Sequence, residues 1–189
     1  MTADPVADNA PGSALRWSDA AADQFEFWHG GWRAETVAGG TDPPVVAFNE
    51  VTWLWGGAAL FEDFSMPAGR SHFHGRSISV PVAGRGWCQT WVDSNGQYLD
   101  FVGGRVDDEM ILDRTVTRAD GSFVRQRMRW WDITSDTFSW DWLHASDAST
   151  EWELDWRLRY TRVTAVTQAR ADVARYDRIR RRSSDRTSP

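Results

Sequence analysis

The sequence predicts an all-β fold, an up-and-down antiparallel β-barrel of about ten strands with a short N-terminal helix and an Arg-rich, partly helical or disordered C-terminal tail. Three observations lead there. Large side chains alternate with polar ones from Trp32 to Arg162. Turn residues interrupt the alternation at intervals of roughly ten to thirteen, the rhythm of short strands. The connections are too short for crossover helices, so neighbouring strands must pair antiparallel. An open meander of this length would expose two edges, and closure removes them, which favours a barrel over the structural alternative, a β-sandwich.

Taken in order, residues 1–20 are rich in Ala, Asp and Pro and read as a disordered leader. From Ala20 to Trp28, Phe25 and Trp28 are spaced to share one helical face behind a cap at Ser18 or Asp19. Strands are expected at roughly 30–38, 45–55, 58–66, 71–80, 85–93, 97–105, 108–118, 122–133, 136–145 and 150–162. The clearest is the last, where Trp152, Leu154, Trp156, Leu158 and Tyr160 alternate with Glu153, Asp155, Arg157 and Arg159. The strand before it sets Phe138, Trp140, Trp142 and His144 on one face. Earlier, Val124, Gln126, Met128 and Trp130 oppose Arg125, Arg127, Arg129 and Trp131, and Trp87, Gln89 and Trp91 oppose Cys88, Thr90 and Val92. Turn signals fall between these runs at Asp93-Ser94-Asn95-Gly96, Asp107-Asp108, Ala119-Asp120-Gly121 and Ser135-Asp136. The resulting division is a leader (1–20), a barrel domain (21–162) and an Arg-rich tail (163–189).

Composition narrows the function classes. A chain of 189 residues suits one domain. Its 13 Trp are unusual, because each brings a large apolar area and an N–H that needs a partner when buried. The single cysteine, Cys88, cannot form an intramolecular disulfide, Met1 to Ala10 lacks the features of a secretory signal, and no apolar run is long enough to span a bilayer. A cytoplasmic setting is expected. Net charge is -6, and Val163 to Pro189 carries seven Arg against three Asp, so the remainder carries -10. That acidic body argues against nucleic acid as the main partner, since phosphate neutralisation needs a basic face. The expected partner is a small hydrophobic molecule, with neither nucleic acid nor membrane, and a homodimer stays among the readings.

The segment Phe27-Trp28-His29-Gly30-Gly31-Trp32 resembles the N-terminal signature of calycin-like barrels, in which an aromatic-rich stretch leads through Gly and Trp into the first strand. Trp87 through Asp93, Arg127-Met128-Arg129-Trp130 and Trp152 through Arg162 are similar to segments of bacterial lipocalin-like proteins. The resemblance covers about residues 23–162 and implies a calycin-like barrel, a scaffold shared by carriers, haem proteins and enzymes. The chain departs from the nitrobindin-like branch, reading Arg33-Ala34-Glu35-Thr36 where that branch has a Gly-rich stretch.

Several constellations could carry chemistry. His72 and His74 project to one face of a strand, where Glu62 or Gln89 could add a third metal ligand, but an ordinary polar pair is the simpler reading. No metal site or cofactor is assigned. His144, near a strand end, suits a rim hydrogen bond, a haem ligand or a general base. Trp53, Trp87, Trp91, Trp140 and Trp142 belong to sets that strand geometry puts on common faces. Rings on common faces suit core packing, or flat walls around a small apolar or aromatic ligand. Gln89, Tyr98 and Glu50 or Glu62 would orient such a ligand, and Arg127 would pair with a ligand carboxylate if it faced inward. The enzyme alternative is a cofactor-independent cyclase or isomerase acting on a hydrophobic biosynthetic intermediate, with Glu50, Glu62, His74 or Tyr98 as acid or base. An inward Glu, desolvated against Trp, would favour catalysis; carboxylates that all face solvent would favour a carrier.

Overall fold

A computed structural model describes residues 22–39, 45–67, 73–146, 149–167 and 171. The expected leader, its cap at Ser18 or Asp19, His72 and nearly all of the tail lie outside the described residues.

Ten strands follow one another along the chain: β1 (Gly30–Ala38), β2 (Val46–Leu54), β3 (Ala59–Met66), β4 (Phe73–Val82), β5 (Gly86–Asp93), β6 (Tyr98–Val106), β7 (Glu109–Thr117), β8 (Phe123–Trp131), β9 (Thr137–Ser146) and β10 (Glu153–Arg162). Each pairs antiparallel with the next, and β10 returns to pair with β1 through Trp32↔Arg162 and Ala34↔Tyr160, closing the barrel. Closure satisfies the backbone donors and acceptors that an open sheet would leave at two edges. No helix among the described residues is long and apolar enough to cross a membrane.

One end of the barrel is plugged. A 3-10 helix (Ala22–Trp28) precedes β1, and its Phe25 and Trp28, three residues apart, share a face because this helix has three residues per turn. Both are buried. Phe25 meets Trp87 edge-on at 4.9 Å and Trp130 edge-on at 5.3 Å, while Trp28 meets Trp130 at 5.4 Å. Trp32 Nε1 donates to the Trp28 carbonyl at 2.8 Å. Arg162, the last residue of β10, fastens the plug: its guanidinium donates to the carbonyls of His29 at 2.8 Å and Phe27 at 3.1 Å and lies 4.1 Å over the Trp32 ring. The carbonyls that end a helix have no partner within it, so a cation there stabilises it. Gly30 permits the approach, with φ at +116° and the Arg162 guanidinium 2.5 Å from where a Cβ would stand.

The outer face of β7–β10 is a lattice of Arg and carboxylates. Arg127 forms a bidentate pair with Asp113, at 2.7 Å for each bond, and Arg129 pairs with Glu109. Asp141, wholly buried, accepts from Arg157 at 2.6 and 2.8 Å beneath the Trp131 ring. Arg127 therefore faces outward, and the strand phase that sequence left open is settled. Val124, Gln126, Met128 and Trp130 take the inward phase of β8, pairing with Ser146, His144, Trp142 and Trp140.

One expectation is corrected. The five large residues of the last strand do not share a face, because the β9–β10 register shifts between Leu154 and Trp156. A bulge inserts an extra residue and reverses the alternation beyond it. Trp156, Leu158 and Tyr160 point inward, whereas Trp152 lies outside, over the guanidinium of Arg127 at 4.1 Å, and Leu154 is exposed.

Candidate functional site

Between the plug and the far end of the barrel lies a cavity of about 180 Å³. Trp28, Trp130 and Tyr160 bound it on the plugged side; Phe73, Trp91 and the exposed Gln97 line it toward the other end, the mouth. Phe64, Phe101, Trp140, Trp142 and Trp156 form much of the wall, with Leu99, Met128 and Leu158 filling between rings. Strand alternation explains the set. Trp140 and Trp142 share the inward phase of β9: the first faces Trp130 and Leu158, the second Met128 and Trp156 in the ladders on either side.

The rings are held at their edges. Trp91 Nε1 donates to Asp93 Oδ2 at 3.1 Å and Trp156 Nε1 to Thr36 Oγ1 at 3.2 Å, so these indoles meet their polar need inside the wall. Phe73 stacks beside Trp91 with centroids 6.4 Å apart. Gly75 on β4 makes room for Trp91, since a Cβ there would sit about 2 Å from two of its ring carbons. Phe138 stacks on Tyr160 at 4.4 Å, fixing the phenol from behind.

The polar centre of this wall is Glu62. It is buried on β3 between Val51 of β2 and Ser77 of β4. Asn49 Nδ2 donates to its Oε1 at 2.7 Å and Ser77 Oγ to its Oε2 at 2.6 Å. Burial raises the carboxyl from its usual 4.5 to about 7; the two hydrogen bonds work against that rise, and Asp63 next in the chain adds to it. Burial likewise pushes the Tyr160 phenol well above its usual range, and the proximity of Glu62 pushes it further. At neutral pH the phenol is a donor, and burial holds the Glu62 carboxyl well above the usual carboxylate range. Two buried polar atoms near this centre have no protein partner among the described residues: Asn49 Oδ1 and the indole nitrogen of Trp28.

Of the residues singled out by sequence, Glu62, Trp91, Trp140 and Trp142 come together at the cavity. Trp87 and Gln89 point inward but serve the packing: Trp87 donates to Gln24 beneath the plug, and Gln89 donates to Ser79 Oγ at 2.8 Å. Trp53 is half-buried against the core near the plugged end. His144 takes the inward phase but stays at the rim, bound through Nδ1 to Asp155 Oδ2 at 2.8 Å. Glu50, His74 and Tyr98 are exposed, because their neighbours Asn49, Gly75 and Leu99 hold the inward phase of their strands. Arg127 is committed to Asp113 outside. Among the described residues, no three His, Cys, Asp or Glu side chains converge as a metal-binding group.

Sequence reasoning passed over Asn49, Ser77 and Tyr160 as site groups. The available signal was faint: Asn49 is the polar member of the otherwise apolar series Ala47, Val51, Trp53. A scan against protein-family models finds no match. A search of curated proteins finds no significant similarity.

Proposed function

We propose that this chain is a calycin-like barrel that binds a small, largely apolar or aromatic molecule inside its ring-walled cavity. The observation that carries the reading is the void itself. Trp140 meets Trp156 edge-on at 5.6 Å and Trp142 meets Phe101 edge-on at 5.8 Å, yet these rings leave about 180 Å³ of space between them, with one buried carboxylate in the wall. An apolar cavity of about 150 Å³ is enough to hold benzene, so this one suits a single ring with a short substituent. A cytoplasmic setting goes with this reading.

Native mass spectrometry of freshly purified protein tests it, together with ligand-dependent quenching of Trp fluorescence. A retained small molecule, or quenching by single-ring compounds that is lost when Trp140 and Trp142 are both replaced by Ala, supports the reading. Protein that carries no added mass and is quenched by none of them overturns it.

A second reading, a cofactor-independent cyclase or isomerase acting on a hydrophobic intermediate, is favoured by one observation. Glu62 is buried in the cavity wall, and that burial pushes its carboxyl up to about 7, where a carboxyl both takes up and returns a proton readily. The rings would hold the substrate folded and Glu62 would move the proton. Conversion of a bound compound by the native protein, abolished in a Glu62→Gln variant that still binds it, supports this reading. Equal conversion by both proteins ends it.

A further inference from the structure

We infer that the cavity selects a ligand carrying a protonated amine, with the ammonium seated between Glu62 and the faces of the surrounding indoles. The inference rests on the ligand-binding reading and narrows it to a chemical class.

Three features of the site converge on a cation. The first is an unbalanced charge. Glu62 is the one carboxylate lining the cavity, and no Arg or His lines it among the described residues. The guanidinium of Arg114, on the inward phase of β7, lies over the Phe101 ring outside the cavity lining, and it is engaged with Gln126 Oε1 at 3.2 Å and Asp100 Oδ1 at 3.9 Å while its Nε has no partner among the described residues. Buried carboxylates ordinarily have a cationic partner, and none lines the cavity among the described residues, which leaves that place to a ligand.

The second feature is the polarity of the hydrogen bonds already made. Both carboxylate oxygens receive a donor, one from Asn49 and one from Ser77. Donors aimed at both oxygens favour the ionised form and leave each with a further lone pair for N–H groups. The third is the walls. The negative faces of indole rings attract a cation within about 6 Å, more strongly when water is excluded. A ligand carboxylate would instead meet Glu62 in a medium of low dielectric, where like charges repel strongly.

The expected ligand is thus a primary or secondary amine on a body about the size of one ring. Ammonium binding requires ionised Glu62, so affinity is linked to pH. Below pH 7 it should fall by about tenfold per unit, as the free protein holds the Glu62 proton with increasing strength, and above pH 7 it should level off.

Other charges act on this linkage. Asp63 neighbours Glu62 on β3 but faces Arg76 outside, Tyr160 faces it from β10 as a neutral phenol, and Asp93 lies beyond Trp91 on β5. The His144 imidazole takes the inward phase at the rim, where it is bound to Asp155. The profile is therefore measured in His144→Gln as well.

The experiment titrates the full chain with phenethylammonium, its neutral counterpart 2-phenylethanol and the anion 3-phenylpropionate, reading Trp fluorescence from pH 5 to 8. The amine is expected to bind at least about tenfold tighter than the alcohol at pH 8, with the acid weakest, and Glu62→Gln should bring the amine down to the level of the alcohol. The slope below pH 7 should persist in His144→Gln and vanish in Glu62→Gln.

Alcohol binding as tight as amine binding, or a slope that depends on His144 and not on Glu62, overturns the amine inference while the ligand-binding reading stands. If none of the three probes quenches the indoles, the amine inference falls, and the ligand-binding reading falls with it when the purified protein also carries no added mass. Far-ultraviolet circular dichroism of each variant separates loss of binding from loss of fold.

Discussion

The two ends of this barrel use the same residue type for opposite purposes. At the plugged end, Phe25, Trp28, Trp87 and Trp130 interlock edge to face, and Phe25 and Trp87 have no exposed surface at all. Toward the mouth, Trp91, Trp140, Trp142 and Trp156 are half-buried around empty volume. Edge-to-face packing turns each ring into the filling of its neighbour's space and converts aromatic area into stability. A ring that faces a void forfeits dispersion contacts on that side and leaves them for a guest. Tryptophan content by itself therefore says nothing about binding; the rings touch one another at both ends, and what matters is whether they fill the space between them or leave one face open to a void.

The largest effect should come from breaking the plugged end. Phe25→Ala removes a fully buried ring and is expected to cost about 3–5 kcal/mol in urea unfolding, whereas Trp140→Ala enlarges an existing void and should cost no more than about 2 kcal/mol. Equal losses at both positions would erase the distinction between the ends.

Next comes Glu62. Its folded-state carboxyl stands at about 7 against an ordinary 4.5, so the folded chain holds the proton more tightly than the unfolded chain. Below pH 4.5 both states are protonated, and the stability associated with this group is fully present. It falls as pH rises from there through 7, by about 3 kcal/mol in all at about 1.36 kcal/mol for each pH unit between the two values, and the loss is complete above 7. Denaturant unfolding of wild type and Glu62→Gln, compared from pH 4 to 8, should show the variant gaining on wild type by about 3 kcal/mol over that range. Parallel pH profiles would place Glu62 in a more polar setting.

A smaller effect sharpens the wall. Gly75→Val drives a side chain into the space held by Trp91 and is expected to cost about 1–3 kcal/mol while shifting the Trp91 emission. Emission unchanged from wild type would show that Trp91 does not lean on β4. The smallest concerns the outside: Arg127→Ala breaks a partly exposed ion pair with Asp113, worth about 1 kcal/mol or less, and should leave quenching by any cavity ligand untouched.

Much of the fold was legible because its causes are local. The face made by Phe138, Trp140, Trp142 and His144 follows from simple alternation, and β9 keeps that alternation throughout. The next strand misleads because one bulge beside Asp155 sends Trp152 and Leu154 outside, and nothing in the run of alternating residues marks the position. On β4 the more apolar series, Ile78, Val80 and Val82, faces outward, while Gly75, Ser77 and Ser79 face the core. Small polar residues suit that inward face only because Trp91 and Glu62 occupy the space beside them, an arrangement set by neighbouring strands. Glu62 was within reach of sequence reasoning, but Glu50, His74 and Tyr98 had equal standing, since a shift of one residue exchanges the faces of a strand.

From its residues alone, this chain fixes ten period-two segments, their antiparallel succession and a surplus of indoles, because alternation and turn chemistry act between near neighbours. Which carboxyl lies inside, which rings lock together and which surround a void were decided only on closure. Those outcomes depend on register, one bulge and contacts made at the closing seam between residues as far apart in sequence as Thr36 and Trp156.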